Sequence, residues 1–314
     1  MKGKNIVGRR VCITGGAGFI GSHIASALAE ENEVIVIDDL SSGKRENLKG
    51  VKAELLTGSI RDVDLVHGAM EGVDYVFHHA AIASVPRSVD DPISSNQVNV
   101  CGTLRVLMEA KAARVRKVVF ASSSAIYGDA PSPIKFEDDL PMPISPYAVT
   151  KLTGEHYCRN FWLNYGLPTC SLRYFNVFGP RQDPNSQYAA VIPRFIEMAN
   201  KGEPLTIYGD GEQTRDFVHV SDVVQANVLA ALDTEHNGEV FNVARGEPIT
   251  INQLAEMVLK PFGKDVQGNV LHQPAREGDI RYSLADITKT MTGLNYSPQV
   301  TVQKGLGQLL GDPV

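Results

Sequence analysis

The sequence predicts an α/β protein built on a doubly wound parallel sheet, with a smaller lobe formed by separated segments. In the first half of the chain, short β-branched runs alternate with longer amphipathic stretches, which is the pattern of parallel strands connected by helices. Two runs, VIVI at 34–37 and KVVFA at 117–121, are continuously apolar, as expected for strands buried on both faces. After residue 175, proline and glycine become frequent and the alternation weakens, which indicates a second unit.

The elements can be placed along the chain in order. The predicted strands lie at 9–14, 33–38, 53–58, 74–80, 117–122, 168–175 and 240–244. The predicted helices lie at 18–30, 62–71, 94–114, 147–165 and 220–232. Because a helix and a strand follow the loose region, we expect the chain to return to the first unit. We therefore predict a first domain of residues 1–176 and about 208–245, and a discontinuous smaller lobe of about 177–207 and 246–314.

The composition excludes several classes of protein. With 314 residues, 43% of them hydrophobic and 21% charged, the chain can bury a large core. A formal net charge of -6 and the lack of a basic cluster argue against nucleic-acid binding. The basic start is followed by too short an apolar run for a signal peptide, and no run approaches the ~18 residues of a membrane-spanning helix. We therefore expect a cytoplasmic protein with no membrane partner.

Cysteine and histidine do not indicate a metal site. The cysteines lack CxxC spacing and a nearby histidine pattern, and we interpret them as small hydrophobes in a reducing compartment: Cys12, Cys101, Cys158 and Cys170. His78 and His79 are adjacent, so on a strand they would face opposite sides and could not hold one metal together.

A glycine-rich turn, TGGAGFIG at 14–21, directly follows the first predicted strand. Glycines at Gly15, Gly18 and Gly21 suit a tight turn that brings the backbone and a helix N-terminus to a pyrophosphate, as in the Rossmann fold. Asp38, at the end of the second strand, has the distance expected of a carboxylate that binds the adenosine ribose. An aspartate would repel a 2'-phosphate, so the cofactor predicted is NAD. The nearby Lys44 and Arg45 leave NADP open.

The segment SPYAVTK at 145–151 places a tyrosine and a lysine on one face of a predicted helix. Ser145 suits the N-cap and Pro146 the first helical position, so Tyr147 and Lys151 stand at i and i+4. A tyrosine that acts as a base near pH 7 needs its pKa lowered by roughly 3 units, or about 4 kcal/mol, which nearby positive charges can supply. The YxxxK spacing alone also occurs by chance in many helices. The serine run at 122–124 ends the fifth strand, where α/β sheets bind ligands, although such runs also end strands for local reasons.

In combination, TGGAGFIG, Asp38, the serine run, SPYAVTK and RYFNVFGPRQ at 173–182 resemble the extended short-chain dehydrogenase/reductase family, specifically its nucleotide-sugar 4-epimerases. The resemblance implies that Tyr147 is the acid/base and that Lys151 binds the nicotinamide ribose and lowers the tyrosine pKa. It also implies that Ser123 or Ser124 binds the sugar 4-hydroxyl. Ser123 is favoured because relatives place this hydroxyl four residues before a tyrosine that matches Tyr127.

The resemblance extends to further binding residues. It implies that NAD is bound by Gly15, Gly18, Phe19, Ile20, Gly21, Asp38, Ser59, Ile60, Ala80, Ala81, Asn99, Tyr147, Lys151 and Phe175. It implies that the nucleotide sugar is bound by Ser84, Ser123, Tyr147, Asn176, Ala190, Val191, Tyr208, Arg215, Arg276, Asp279 and Ser283. Two arginines suit a diphosphate in charge and geometry. Ser59 departs from the family, because relatives usually carry an aspartate near the adenine there.

Ser283 and the residues after Ser123 carry the expectation about the reaction. Glucose-restricted epimerases have a bulky tyrosine where this chain has Ser283, so the resemblance favours a UDP-N-acetylhexosamine, with plain UDP-hexoses also open. The dehydratases and decarboxylases among these relatives carry acidic residues where this chain has Ser124, Ala125 and Ile126, so they are the alternative reading. A non-catalytic NAD-binding regulator is less consistent with an intact tyrosine and lysine. The resemblance also implies a homodimer formed by helices 94–114 and 147–165.

Overall fold

The computed structural model of the chain describes residues 5–130, 132–183, 191–275 and 280–311. Its strands, numbered along the chain, are β1 (Arg10–Thr14), β2 (Glu33–Asp38), β3 (Ala53–Thr57), β4 (Tyr75–His78), β5 (Lys117–Ser123), β6 (Ile134–Lys135), β7 (Thr169–Tyr174), β8 (Asn176–Phe178), β9 (Leu205–Tyr208), β10 (Thr214–His219), β11 (Glu239–Val243), β12 (Pro248–Thr250), β13 (Val270–Gln273) and β14 (Leu284–Ala285). Seven of them form one parallel sheet in the order β11-β7-β5-β4-β1-β2-β3. The predicted doubly wound parallel sheet is thus confirmed.

Helices cover this sheet on both faces. In chain order, the α-helices of the described residues are α1 (Phe19–Leu28), α2 (Val63–Ala69), α3 (Val85–Asp90), α4 (Pro92–Asn96), α5 (Thr103–Ala112), α6 (Pro146–Tyr165), α7 (Val191–Lys201), α8 (Val220–Leu232), α9 (Ile251–Leu259), α10 (Thr288–Leu294) and α11 (Val302–Leu310). Short 3-10 helices lie at Arg45–Leu48, Ser124–Tyr127 and Lys260–Phe262. One buried cluster joins α1 and α8 to the sheet, and a second joins α2, α5 and α6 to its other face.

The helix predicted at 94–114 differs from the observed one. It begins at Pro92, where the Asp91 side chain accepts a hydrogen bond from the backbone of Ser94, and it widens into a π-helical segment at Gln97–Gly102 between α4 and α5. Gly102 packs against Ile60, whose Cδ1 would lie 2.6 Å from a Cβ at this position. The wide turn thus brings the helix against the loop that follows β3, a long-range contact that the helical pattern of the sequence does not contain.

A third buried cluster lies away from the seven-stranded sheet. It packs α7, α9 and α11 around β8, β9 and β10, with Phe178, Phe195 and Leu254 among its members. Here β10 pairs in parallel with β8 and antiparallel with β12. The chain then returns through α8 and β11 to the central sheet. The domain boundaries given above stay a prediction.

The cysteines and the helix lengths bear on two further expectations. All four cysteines are free; Cys12, Cys158 and Cys170 are buried, whereas Cys101 is exposed. Within the described parts of the chain, no helix is both long and apolar enough to cross a bilayer.

Candidate active site

The glycine turn between β1 and α1 forms the floor of a cleft of about 530 Å³. Gly15 has φ +68°, and a Cβ there would lie 2.6 Å from the backbone nitrogen of Ala80, so the turn requires a glycine. A Cβ at Gly21 would collide with the Gly15 carbonyl, which lets α1 begin close beneath the turn. The first turn of α1 carries no acidic residue, so its N-H groups present an uncompensated positive end to the cleft.

Asp38 ends β2 at the same edge of the sheet and lines the cleft. Its carboxylate accepts hydrogen bonds from the backbone of Ala17 at 2.9 Å and of Leu40 at 2.8 Å, which tie it to the glycine turn. Burial raises the pKa of Asp38, and these two backbone donors oppose that shift. Lys44 Nζ lies 3.0 Å from the Asp183 carboxylate, and the Arg45 guanidinium donates to Thr57. Both cations near Asp38 therefore have partners, which weakens the alternative of a 2'-phosphate site.

The segment after β4 forms the next wall of the cleft. Ala80 and Ala81 line it, together with Ser59 and Ile60 from the loop after β3. Asn99, in the π-helical segment, is buried behind this wall rather than in it. Its side chain bonds both backbone groups of Ile82, at 2.8 Å and 3.1 Å, and also Thr150 on α6. Asn99 thus ties the wall to the helix that carries Tyr147.

Tyr147 and Lys151 stand on one face of α6 and both line the cleft. The Ser145 side chain accepts from the backbone of Ala148 at the N-cap, and Pro146 follows, as the sequence predicts. The backbone N-H of Tyr147 donates to Ser88 Oγ on α3 at 3.0 Å, which fixes the start of the helix. Lys151 is 4% exposed and its Nζ donates to the Ala121 carbonyl at 2.8 Å.

Of the two candidate serines, Ser123 is the one whose side chain interacts with the Tyr147 phenol. Burial raises the pKa of the Tyr147 phenol, and this interaction opposes that shift. Burial also lowers the pKa of Lys151 to about 8. Ser124 begins the 3-10 helix at 124–127, and Ser123 caps that helix by accepting from Ala125. The arrangement can pass a proton between the phenol and a bound hydroxyl.

Several residues of the cleft escaped the sequence reasoning. His79 and Tyr174, at the ends of β4 and β7, line it and are joined by a 3.0 Å hydrogen bond with their rings stacked. Ser122, which the sequence placed in the serine run at 122–124 without a role of its own, also lines it. Their positions at the carboxyl ends of parallel strands are the signal that could have identified them.

The segment 180–183 borders the cleft and contacts the first domain. Arg181 and Asp183 line it, and the Arg181 guanidinium donates to Ser22 and Ser26 on α1 at 2.9 Å and 3.0 Å. His23 on α1 bonds the Pro180 carbonyl at 2.9 Å. With the Lys44–Asp183 ion pair, these contacts make a strap, residues 180–183, along the edge of the cleft.

A second cavity of about 420 Å³ lies in the smaller lobe. Four residues predicted to bind substrate line it: Asn176, Val191, Tyr208 and Arg215. The Arg215 guanidinium donates to the Ile280 carbonyl at 2.7 Å, and Asn176 donates to the Asp216 carbonyl at 3.1 Å. Phe178, Phe195 and Phe217 give the cavity an aromatic wall. The set combines a flat apolar surface with a fixed cation, which suits a nucleotide.

The remaining predicted residues are placed as follows. Phe175 is buried behind the cleft against the ring of Tyr127. Ser84 is the N-cap of α3, where its side chain accepts from Arg87. Ser283 is half-buried just before β14. Three predicted substrate contacts, Ala190, Arg276 and Asp279, lie outside the described residues.

Metal-ligating side chains stay apart in the described ranges. Within those ranges no three side chains of histidine, cysteine, aspartate or glutamate converge closely enough to hold a metal ion. His78 bonds Thr14 and Thr103 while His79 bonds Tyr174, so the two rings face different neighbours, as predicted.

A parallel sheet with a glycine turn, a strand-end aspartate and a tyrosine–lysine pair in one cleft defines a dinucleotide-binding enzyme of the short-chain dehydrogenase/reductase type. The chain belongs to the NAD dependent epimerase/dehydratase family, whose model matches residues 11–244. The predicted family resemblance and the predicted cofactor, NAD, are thereby confirmed.

Solved structures are similar over nearly the whole chain. A UDP-N-acetylglucosamine 4-epimerase from Methanobrevibacter ruminantium M1, in complex with UDP-N-acetylmuramic acid, is 42% identical with a TM-score of 0.93, and the match covers 98% of each chain. A UDP-glucose 4-epimerase from Thermotoga maritima with UDP-glucose is 40% identical with a TM-score of 0.90, covering 96% of this chain and 98% of that one. The UDP-glucose 4-epimerase of Thermus thermophilus, in complex with NAD, is 40% identical with a TM-score of 0.86 and the same coverage.

Relatives with other reactions also match. A UDP-N-acetyl-alpha-D-glucosaminuronate decarboxylase from Bacillus cytotoxicus is 34% identical over 96% of this chain and 97% of its own. A dTDP-glucose 4,6-dehydratase from Streptomyces niveus is 34% identical over 95% of this chain and 90% of its own. Membership of the family therefore does not by itself identify the reaction of this chain.

Proposed function

We propose that this protein is a UDP-sugar 4-epimerase that works through a transient 4-keto sugar. The observation that carries the proposal is that Tyr147 and Lys151, one helical turn apart on α6, line the same cleft as the glycine turn and Asp38, with the Ser123 side chain beside the Tyr147 phenol. The glycine turn, Asp38 and the wall at 80–81 would hold NAD, which when bound would supply reversible hydride transfer at C4 of the sugar.

The roles of the side chains follow from their positions. Ser123 would orient the 4-hydroxyl, and Tyr147 would take the hydroxyl proton and return it to the same oxygen when hydride is added to the opposite face of C4. Burial disfavours the phenolate, so a cation close to the ring is needed; Lys151 Nζ lies 5.9 Å from the centroid of the Tyr147 ring. Lys151 would also bind the nicotinamide ribose, as the resemblance implies.

The cavity in the smaller lobe would hold the nucleotide. Arg215 would bind the diphosphate, and Asn176, Val191 and Tyr208 would contact the rest of the nucleotide sugar. Arg276 and Asp279 complete this set by resemblance. Firm contacts at the diphosphate let the sugar itself turn between the two hydride transfers.

For the sugar we propose an N-acetylhexosamine, with plain hexose also accepted. Ser283 leaves volume where glucose-restricted relatives carry tyrosine. Its segment is fixed on both sides, because Arg281 forms a bidentate ion pair with Asp210 at 2.7 Å and 2.9 Å and Ala285 donates to the Asp216 carboxylate. The similar archaeal enzyme that binds UDP-N-acetylmuramic acid supports the choice.

The experiment is to offer UDP-N-acetylglucosamine and UDP-glucose separately, without added reductant, and to identify the product sugars. We expect the 4-epimer of the N-acetylated sugar; absence of a 4-epimer from both substrates would refute the proposal. The variant Ser283→Tyr should lose turnover of the N-acetylated sugar while keeping that of UDP-glucose. Ser297→Tyr, which adds the same bulk at an exposed position, should change neither. Epimerisation of UDP-glucose alone by the unaltered protein would refute the assignment to Ser283.

The second candidate is a 4,6-dehydratase or decarboxylase, which the similarity to such relatives favours. A dehydratase needs an acid and a base to expel water, and the matching positions here are Ser124, Ala125 and Ile126 in the 3-10 helix after Ser123. Mass analysis of the same reactions separates the epimerase from the dehydratase, because an epimer has the mass of its substrate while dehydration lowers it. A decarboxylase would be tested with a UDP-uronic acid, because only a sugar with a carboxyl group can lose carbon dioxide.

We also propose that NAD is tightly held and that the protein is a homodimer. The strap at 180–183 supports the first point, because leaving the cleft would require its ion pair and its bonds to α1 to open. Exposed apolar side chains on the two helices supposed to pair support the second: Ile93 is 70% exposed and Val149 is 49% exposed, beside Ile144. Light scattering should give twice the mass of the chain, and Ile93→Asp should halve it, whereas Leu271→Asp on β13 should not.

A further inference from the structure

Glu155 stands one helical turn after Lys151 and is 4% exposed. Its Oε1 accepts from Ser122 Oγ at 2.5 Å and from Arg173 Nε at 2.9 Å, and its Oε2 accepts from Arg173 Nη2 at 2.8 Å. Ser122 and Arg173 are register partners on β5 and β7. One carboxylate on α6 therefore holds two neighbouring strands at their carboxyl ends.

The contacts continue beyond the ion pair. Arg173 Nη1 donates to the Tyr127 hydroxyl at 2.8 Å and to the Glu137 carbonyl at 3.1 Å. The Tyr127 hydroxyl donates to Asn242 on β11 at 2.7 Å. A buried ion pair adds little net stability, because desolvation offsets the attraction between the charges, so stability alone is a weak reason for this network.

Its location connects it to the reacting groups. Lys151 donates to the Ala121 carbonyl, Glu155 accepts from the Ser122 hydroxyl, and the Ser123 side chain lies beside the Tyr147 phenol. Successive residues of β5 are thus joined to the residues of α6 that stand at i, i+4 and i+8. A shift of Ser122 relative to α6 would move the hydroxyl of Ser123 away from the phenol.

We propose that Glu155 is a positioning residue for the epimerisation: with Arg173 it clamps β5 and β7 to α6 and keeps Ser123, Tyr147 and Lys151 in register. The proposal rests on the proposed function. Glu155 does not line the cleft, and its own hydrogen bonds do not reach the reacting groups. It would act on them through its hydrogen bond to Ser122 and through its charge near Lys151.

The charge of Glu155 acts in the same direction. The titratable groups near Lys151 are Tyr147, Glu155 and Cys158 on its own helix and His78 and His79 at the end of β4. Burial lowers the pKa of both histidines to about 3 and raises the pKa of Cys158 to about 12, so these three are neutral near pH 7. Glu155 raises the pKa of Lys151 against the effect of burial and so favours its cationic form.

Two variants separate positioning from simple stabilisation. Glu155→Gln should lower kcat by about 10–100-fold with little change in KM, because small displacements of reacting groups cost this much. In this variant the alkaline limb of the pH profile of kcat should move to lower pH, because the carboxylate that favours the Lys151 cation has been removed. The double variant Glu155→Leu with Arg173→Met removes both charges and should regain stability in denaturant while kcat stays low. Recovery of kcat together with stability would overturn the proposal.

Lys117→Met is the matched control. Lys117 is 1% exposed at the amino end of the same strand, where it donates to Asn237 and to the Asp233 carbonyl. Lys117→Met should lower the stability of the protein without moving the alkaline limb of the pH profile of kcat. If this variant moved the limb as Glu155→Gln is expected to do, the result would count against the proposal.

A measurement that does not require turnover separates the positioning role of Glu155 from the proposed epimerase function. The phenolate of Tyr147 can be titrated by ultraviolet difference absorbance against Tyr147→Phe, in the protein as purified. Glu155→Gln should move this titration, and an unmoved titration would overturn the positioning role even in a protein that epimerises neither sugar. Absence of epimerisation with a moved titration would instead refute the proposed function alone.

Discussion

The cofactor cleft and the cavity of the smaller lobe are built in different ways. The cleft is built around backbone that meets closely at the carboxyl ends of β1 and β4, where the glycine turn approaches the wall at 80–81. The cavity is assembled from side chains on β8, α7, β9 and β10, which follow one another between residues 176 and 219. A site made by backbone depends on a few residues of fixed conformation, whereas a site made by side chains can change its ligand by single substitutions. The first therefore identifies the cofactor class, and the second decides the substrate.

The largest effect is expected at the junction of the two regions, at Tyr147. Tyr147→Phe removes the proton donor and acceptor but keeps the ring in the cleft, so kcat should fall by about 10²–10⁴-fold while bound NAD is retained. Steady-state kinetics and the cofactor content of the purified protein measure both. Tyr157→Phe, a half-buried tyrosine on the same helix, is the control and should keep its activity. Normal turnover by Tyr147→Phe would show that another group carries the proton.

The cavity of the smaller lobe should respond in KM rather than in kcat. Arg215→Met removes a charged donor to the diphosphate, and a hydrogen bond to a charged group contributes about 1.5–3 kcal/mol, so KM for the UDP-sugar should rise roughly 10–100-fold. Arg215→Lys keeps the positive charge but loses the paired donors of the guanidinium, so its KM should lie between those of the unaltered protein and Arg215→Met. Arg159→Met, at an exposed position on α6, serves as the control. An unchanged KM in Arg215→Met would remove this arginine from the binding site.

The two regions also differ in how far the sequence could predict them. The glycine turn and Asp38 depend on spacings within one β1–α1–β2 unit, and Tyr147 and Lys151 on the spacing within one helix, so local patterns placed these residues. The roles of Tyr147 and Lys151 came from the family resemblance. The hydrogen bonds of Asn99 to Ile82 and of His79 to Tyr174 join residues 17 and 95 positions apart. Such contacts depend on how the sheet and helices pack, which no local pattern records. The ion pair of Glu155 with Arg173 is of the same kind.

The pH profile tests the electrostatics of the cleft. Burial lowers the pKa of Lys151 to about 8 from an ordinary value of 10.5, so the ammonium is lost as pH rises through about 8. If the cation is required, kcat should fall about tenfold per pH unit above that value. A loss of folding stability through Lys151 would not explain the fall in kcat. Between pH 8 and 10.5 this lysine holds its proton in the unfolded chain but not in the folded chain, so its contribution to the free energy of unfolding rises with pH.

The variant Lys151→Arg tests whether the fall of kcat above about pH 8, the alkaline limb of the pH profile, belongs to Lys151. Lys151→Arg keeps a positive charge at all accessible pH values, so its alkaline limb should disappear even if its kcat is low. A limb that remains at the same pH in Lys151→Arg would belong to another group.

The smallest effect is expected at the strap, where both regions contribute to one surface ion pair. The side chains of Lys44 and Asp183 are 52% and 36% exposed, and an exposed pair contributes about 0.2–1 kcal/mol. Lys44→Met should therefore speed NAD dissociation by at most about fivefold, and high salt should reduce the difference because it screens the pair in the unaltered protein. The control is Lys52→Met, which removes an exposed ion pair with Glu30 away from the cleft. Equal dissociation rates in all three proteins would mean that NAD is held by the backbone cradle of the cleft alone, and that the strap at 180–183 only connects the two regions.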